Sequence, residues 1–95
     1  MTEIQVHSIH FDADQKLLNF IREKVEKLHT FHDRIISGEV FLRIDKSDDH
    51  MNKISEVRIT VPGHELFAKK QCKSFEEATD HVVDALKSQI AKIKK

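Results

Sequence analysis

Residues 72–95 read CKSFEEATDHVVDALKSQIAKIKK, and this stretch predicts an amphipathic helix with a defined start. Ser74 and Glu77 form a capping box, a spacing in which each side chain accepts from a backbone donor of the first turn. Apolar residues then recur every three or four positions, which gives the helix one buried face. These residues are Phe75, Ala78, Val82, Leu86, Ile90 and Ile93.

Lysines crowd the end of the same stretch, at Lys87, Lys92, Lys94 and Lys95. One or two cations would complement the negative end of the helix dipole. The remaining positive charge indicates a polyanionic partner.

The chain upstream predicts a first strand and a second capped helix. Residues 3–9 alternate loosely and predict a short strand. Asp12, with Gln15 three residues later, predicts another capping box. The buried face of this helix is expected at Leu17, Ile21, Val25 and Leu28.

Three further runs, at 39–45, 55–61 and 65–70, alternate apolar and polar residues as strands do. Residues 46–52 are polar and predict a mobile hairpin loop, and residues 62–65 predict a turn. The residues expected to face the core are Val40, Leu42, Ile44, Val57, Ile59, Val61, Leu66 and Ala68. Those expected on the opposite face include Phe41, Arg43, Glu56, Arg58 and Thr60.

The fold class is therefore α+β, with the order β-α-β-β-β-α. A crossover helix makes the first two strands parallel, and a meander makes the others antiparallel, so the four-stranded sheet is mixed. Because each helix has a single apolar face, both should pack on one face of the sheet. The other face then meets solvent.

The composition describes one small domain, at 95 residues. Its 16 basic and 16 acidic residues cancel, so an electrostatic function must come from how charge is distributed. The single cysteine excludes an internal disulfide, and the chain starts without a signal-peptide pattern. No apolar run is long enough to span a membrane, so the expected compartment is the cytoplasm.

Chemistry-bearing motifs are lacking. The sequence has no Gly-rich phosphate loop, no nucleophile elbow and no acid–base pair at a telling spacing. Cys72 is expected to be a small structural residue rather than a catalytic thiol, since no local motif supplies a base. We expect a non-enzyme without a cofactor or a small-molecule substrate.

Two histidine pairs lie three residues apart, His7 with His10 and His29 with His32. No cysteine pair or local carboxylate pattern completes a ligand set, so they are expected to be surface residues and not metal ligands. Protonation near pH 6 would add positive charge and could strengthen binding to the polyanionic partner, a hypothesis that an affinity unchanged between about pH 7.5 and 6 would remove.

The order of elements and a series of short motifs resemble the ribosome hibernation-promoting factors, also called YfiA-type ribosome-associated inhibitors. The motifs are residues 23–28 (EKVEKL), 33–35 (DRI), 40–46 (VFLRIDK), 63–68 (GHELFA), 78–80 (ATD), Asp84, Leu86, 89–90 (QI) and 92–94 (KIK). They follow in order over nearly the whole chain.

The resemblance implies a bacterial stress or stationary-phase factor with a fold like that of double-stranded-RNA-binding domains. Such proteins bind small-subunit rRNA in the channel used by messenger and transfer RNA, and silence translation by occupancy. Long members carry a second domain that pairs two ribosomes. Because this chain stops at Lys95, it is expected to be a short form, a single ribosome-binding domain over residues 1–95 that is monomeric and has no dimerisation domain.

The resemblance also implies which residues bind RNA. The family's basic positions match Lys24 and Lys27 on the first helix, and Lys92 and Lys94 on the second. Two positions that are usually basic are Ala85 and Ser88 here.

Helix cations suit RNA binding independently of the family, because folded RNA is recognised largely through phosphates and shape. If the helices pack together, one basic surface is expected from Arg22, Lys24, Lys27, Lys87, Lys92, Lys94 and Lys95. The alternative is that these are solvated side chains that balance nearby acidic residues. Lys24 lies close to the apolar stripe and can also snorkel.

The free sheet face offers another site. Exposed aromatic side chains with interleaved cations could stack unpaired bases, and the candidates are Phe41, Arg43, Arg58, Phe67 and Lys69. The alternatives are a cross-strand aromatic pair or a dimer contact. A rival function follows from the latter, a protein-interaction module that docks or dimerises through Phe41 and Phe67.

Overall fold

The computed structural model describes residues 3–46 and 50–93. The elements are β1 (Glu3–Ser8), α1 (Gln15–Glu26) with a 3-10 turn at Lys27–Thr30, β2 (Ser37–Ile44), β3 (Lys53–Val61), β4 (His64–Cys72) and α2 (Phe75–Ile93). The order β-α-β-β-β-α is confirmed. In this part of the chain, none of the helices combines the length and the hydropathy needed to cross a membrane.

The four strands form one mixed sheet in the order β1-β2-β3-β4. β1 runs parallel to β2, with Val6 opposite Val40, because α1 carries the chain back to the end of the sheet at which β1 starts. β2, β3 and β4 are antiparallel neighbours, with Val57 opposite both Val40 and Ala68. The predicted topology is confirmed.

The core lies between the sheet and the two helices, which pack on one face as predicted. The apolar stripe of α2 is buried from Phe75 to Ile90, and Ile93 is partly buried. A hydrogen bond of 3.1 Å between the hydroxyls of Ser55 and Thr79, both fully buried, ties β3 to α2. Because each hydroxyl has a partner, this polar contact does not leave an unpaired group in the core.

The two helix starts differ in how well the sequence predicted them. The Ser74 hydroxyl accepts from the backbone N–H of Glu77 at 3.1 Å, which confirms the predicted start of α2. The predicted cap at Asp12 is wrong. Asp14 directly precedes α1, and its carboxylate accepts from the backbone N–H of Leu17 at 2.8 Å. A carboxylate can cap a helix only from the residue directly before its first turn. Asp12 and Gln15 have the spacing of a capping box, but Asp12 lies two residues before the position that caps α1.

β2, β3 and β4 are longer than the alternation predicted, whereas β1 ends one residue earlier, at Ser8. Pro62 and Gly63 alone form the turn between β3 and β4, and Gly63 adopts the φ of +79° that favours glycine, so β4 starts at His64. β2 starts at Ser37 and includes Gly38, where an added Cβ would lie 2.7 Å from the Ile4 side chain. A side chain at this position would therefore have to displace the end of the Ile4 side chain.

One expected orientation needs correction, one outward residue is more buried than expected, and one prediction is not addressed. Ile44, expected in the core, is 45% exposed because it ends β2 beyond the cover of the helices. Glu56 lies on the outer face as expected but is buried, since Arg43 covers it. The predicted loop at 46–52 includes residues 47–49, which lie outside the described residues.

Candidate nucleic-acid interface

The helices α1 and α2 lie side by side and run parallel, since their contacts advance in step. Lys24 forms an ion pair with Asp80, at 2.9 Å between Nζ and Oδ1. Further along, the Lys87 ammonium lies 4.9 Å from the centre of the Phe31 ring. Polar side chains from both helices therefore face each other across one groove.

This groove holds a cleft of about 350 Å³, the interhelical cleft, lined by Lys24, Lys27, Asp80, Val83, Asp84 and Lys87. Three of the seven cations predicted to bind RNA meet here. Two carboxylates lie among them, so the cleft has an excess of one positive charge.

The three lysines of the interhelical cleft differ in their partners. Lys24 is held by Asp80 and lies 5.6 Å from the Phe20 ring centre, which confirms that it follows the apolar stripe. Lys87 lies 3.7 Å from Asp84. Lys27 is exposed and forms no ion pair with any residue in the described ranges. Lys27 therefore carries the excess charge.

Other predicted cations lie on the flanks. Arg22 follows the buried Ile21, whereas Lys24 precedes the buried Val25, so the two lie on opposite sides of the α1 stripe. Lys92 is exposed and lies about 140° around α2 from Lys87, at about 100° per residue. The single basic surface that was predicted is thus divided.

Lys94 and Lys95 fall outside the described residues. Ala85 and Ser88 share the side of α2 on which Lys92 lies. The side chain of Ser88 donates to the Asp84 carbonyl oxygen at 3.4 Å. Cations at positions 85 and 88 would make this side of α2 basic. With alanine and serine there, Lys92 is the cation among these three positions.

Sequence reasoning missed the two carboxylates of the interhelical cleft, Asp80 and Asp84. Both are exposed and form ion pairs with lysines of the cleft. Part of the signal was in the sequence, because Asp84 and Lys87 are three residues apart on one helix. The Lys24–Asp80 pair joins different helices, and only their packing shows it.

The free sheet face is electrically balanced. Arg43 forms an ion pair with Glu56 at 2.7 Å, and Arg58 lies 4.0 Å from Glu39 and 3.8 Å from Glu65. Lys69 is exposed and lies opposite Glu56 in the strand register. The cations predicted to accompany stacked bases therefore already face carboxylates. The sequence prediction considered the arginine and phenylalanine residues of this face and not its glutamates.

The two aromatic residues of this face are not partners, because β3 separates their strands. Phe41 stacks on His7, with ring centres 5.1 Å apart, and is partly buried. Phe67 lies opposite Arg58 and is 45% exposed. The two phenylalanines therefore do not pair with each other, and the cross-strand aromatic partner of Phe41 is His7.

The paired histidines do not act as pairs in the structure. His7 Nε2 lies 3.6 Å from a Glu39 carboxylate oxygen, and His10 adopts a φ of +63° in the turn after β1. His32 Nδ1 accepts from the Arg34 backbone N–H at 3.0 Å, so one of its ring nitrogens is occupied. Within the described ranges, neither pair belongs to a group of three donors with metal-binding spacing.

Cys72 does not have the environment of an activated nucleophile. Burial raises the pKa of its thiol, and the nearby Glu77 carboxylate raises it further through its charge and a hydrogen bond. Reactive cysteines have electropositive surroundings that lower the pKa.

Comparison with known proteins places the chain in a family. The family model described as "Sigma 54 modulation protein / S30EA ribosomal protein" matches residues 4–95. The chain belongs to this family. The predicted resemblance is thereby confirmed.

Individual proteins and solved structures are also similar to the chain. The chain is 23% identical over 92 residues to a Pseudomonas putida protein named ribosome hibernation promoting factor, covering 97% of this chain and 86% of that protein. A ribosomal subunit interface protein from Coxiella burnetii superposes with a TM-score of 0.86 at 21% identity, covering 97% of each chain. The N-terminal domain of Thermus thermophilus Protein Y superposes with a TM-score of 0.78 at 15% identity, covering 96% of this chain and 94% of that domain. Both superpositions show the same fold.

Proposed function

We propose that this protein is a cytoplasmic ribosome hibernation factor that inhibits translation under stress or in stationary phase. The observation that carries the proposal is the family match over residues 4–95, together with the name of its curated relative. The mechanism is occupancy, without catalysis, of the channel of the small ribosomal subunit through which messenger and transfer RNA pass.

The interhelical cleft is the proposed point of contact with small-subunit rRNA. Lys27 has no carboxylate partner within the described ranges, so binding a phosphate there breaks no ion pair. Lys24 and Lys87 sit in solvent-exposed pairs, each worth about 0–1 kcal/mol, which a phosphate can replace at small cost. Arg22, Lys92, Lys94 and Lys95 are proposed as secondary contacts on the flanks of the helices.

Competition on purified small subunits tests this function. The protein is co-sedimented with subunits that are empty or that carry messenger and initiator transfer RNA, at about 50 mM salt, where electrostatic contacts are strong. We expect binding to the empty subunits and exclusion from the loaded ones. Equal binding to both would place the protein outside the channel.

A second function is favoured by one observation, the exposure of Phe67 at 45% on a face with balanced charge. A protein-interaction module would use Phe67 and Phe41 as apolar contacts, to dimerise or to dock on a partner. Apolar docking responds little to salt, whereas phosphate contacts weaken steeply, so a salt titration separates the two functions.

A further inference from the structure

A second cluster of polar groups lies where β4 ends and α2 begins. One donor atom each from Cys72, Glu77 and His81 lie within 4.8 Å of one another. A thiol sulfur, a carboxylate oxygen and an imidazole nitrogen thus converge on one point. This cluster is not used in the proposed ribosome binding, and the inference does not depend on that function.

The backbone fixes this convergence. Glu77 and His81 are one turn apart on α2, so their side chains project from the same side of the helix. Cys72 is the last residue of β4 and is 6% exposed beneath them. The Ser74 cap holds the short connection between the two elements. The three donors therefore come from elements that the fold already positions.

We propose that Cys72, Glu77 and His81 bind a divalent transition-metal ion of the Zn²⁺ class. Thiolate and imidazole ligands favour Zn²⁺ over Mg²⁺ and Ca²⁺, which prefer oxygen ligands alone. Three protein ligands leave a fourth tetrahedral position for water. The metal ion binds the sulfur in place of the thiol proton, which is released to solvent.

The geometry requires only a small adjustment. Tetrahedral Zn²⁺ with bonds of about 2.0–2.3 Å holds one sulfur and two nitrogen or oxygen ligand atoms about 3.3–3.5 Å apart, so the donors, all within 4.8 Å of one another, must approach by about 1.5 Å at most. Glu77 and His81 are exposed and can reorient, while Cys72 stays fixed by packing. The cluster is therefore close to a binding geometry before the ion arrives.

The local charge also favours a cation. Glu77 is itself a carboxylate of the first turn of α2, as is its neighbour Glu76, and residues 75–86 contain no lysine or arginine. These carboxylates offset the positive end of the α2 dipole. Burial and the Glu77 carboxylate raise the pKa of the Cys72 thiol, and the Lys70 ammonium acts in the opposite direction, so the ion must displace the thiol proton.

A search of the sequence for histidines three residues apart does not lead to this site, because His81 belongs to neither of the two histidine pairs. Its ligands are spaced C-x₄-E-x₃-H across a strand–helix junction. The i, i+4 spacing of Glu77 and His81 was visible in the sequence, but the contribution of Cys72 depends on where β4 ends.

Metal titration of the reduced 95-residue protein tests the proposal. Co²⁺ is added first, because a cysteine thiolate bound to Co²⁺ produces a ligand-to-metal charge-transfer absorption in the near ultraviolet. We expect this absorption to saturate at one equivalent and to be displaced by Zn²⁺, with Mg²⁺ having no effect. We also expect Zn²⁺ at about a hundredfold excess over its Kd to raise Tm by at least about 5 °C.

Variants separate this site from adventitious binding to surface histidines. Cys72→Ala should remove the absorption, and Glu77→Gln and His81→Gln should each weaken Zn²⁺ binding by about tenfold or more. Glu77→Gln keeps the capping box, so a weaker affinity would reflect the lost ligand. Glu76→Gln and His64→Gln are the matched controls and should bind as the wild type does.

Two results would overturn the proposal. One is a wild-type protein without the charge-transfer absorption. The other is Zn²⁺ binding that Cys72→Ala leaves unchanged while its circular dichroism shows a folded protein, because the thiol would then not be a ligand.

Discussion

The two outward surfaces of this domain contain similar residues but differ in how their charges are matched. On the sheet side, Arg43 and Arg58 face Glu39, Glu56 and Glu65, and no excess charge remains among these side chains and Lys69. On the helix side, the interhelical cleft has three lysines and two aspartates. The number of cations is equal on the two surfaces, and what differs is the number of carboxylates, which is why the contact with a polyanion is proposed on the helix side.

The largest expected effect comes from reversing charge in the interhelical cleft. Lys27→Glu with Lys87→Glu should weaken binding to small subunits by about 100-fold or more, because carboxylates would then face phosphates. Arg43→Glu with Lys69→Glu is the matched control on the sheet side and should change binding about twofold at most. Equilibrium sedimentation measures both, and equal losses in the two variants would abolish the distinction between the surfaces.

A smaller loss is expected on the flank of α2. Lys92→Glu should weaken binding by about tenfold, because a single exposed cation contributes roughly one phosphate contact. Ser88→Lys, which restores a cation on the same side of the helix, should strengthen binding by a similar factor. Binding curves for both proteins check this, and a loss as large as that of the cleft variant would move the centre of the interface to the flank.

Removing the competing carboxylates should act in the opposite direction. Asp80→Asn with Asp84→Asn leaves all three lysines of the cleft without a charged partner there, so affinity should rise by several-fold. The free energy of unfolding should fall by no more than about 1 kcal/mol for each exposed pair. Glu76→Gln with Glu23→Gln removes the same charge outside the cleft lining and controls for net charge. An affinity that falls instead would mean that the ion pairs position the lysines for RNA.

The smallest effect is expected from the aromatic residue of the sheet face. Phe67→Ala should leave binding to small subunits within about twofold, because the helix side makes the contact in this account. Loss of a stacked base would cost about 1–3 kcal/mol, which is easily measured. A tenfold loss for Phe67→Ala, with binding retained in the cleft variant, would favour the sheet face and the rival function.

Most of the fold could be predicted from the sequence, because hydrophobic periodicity and turn residues act locally. The α2 stripe and the Ser74 cap were confirmed, as was the parallel pairing that a crossover requires. The errors lie at element ends. Asp12 has the spacing of a capping residue, but Asp14 makes the capping hydrogen bond. Ile44 fits the apolar alternation of β2 but lies at the end of the strand, where the helices do not cover it.

The candidate site was less predictable, because charge matching depends on contacts between distant residues. Lys24 and Asp80 are paired only because α1 and α2 run parallel in one register. The same packing leaves Arg22 and Lys92 outside the cleft, although the sequence prediction placed them on one surface with its lysines. Helical period gives the side of a helix on which a residue lies, but the neighbour it meets there comes from tertiary packing.

The central claim, that the interhelical cleft binds phosphates, is tested most directly by the salt dependence of small-subunit binding. Affinity is measured between about 50 and 200 mM salt for the wild type and for Lys27→Ala. We predict a steep fall for the wild type and a slope of log K against log salt that is shallower by about one for Lys27→Ala, as one lost phosphate contact requires. A flat wild-type slope, or identical slopes for the two proteins, would contradict the account.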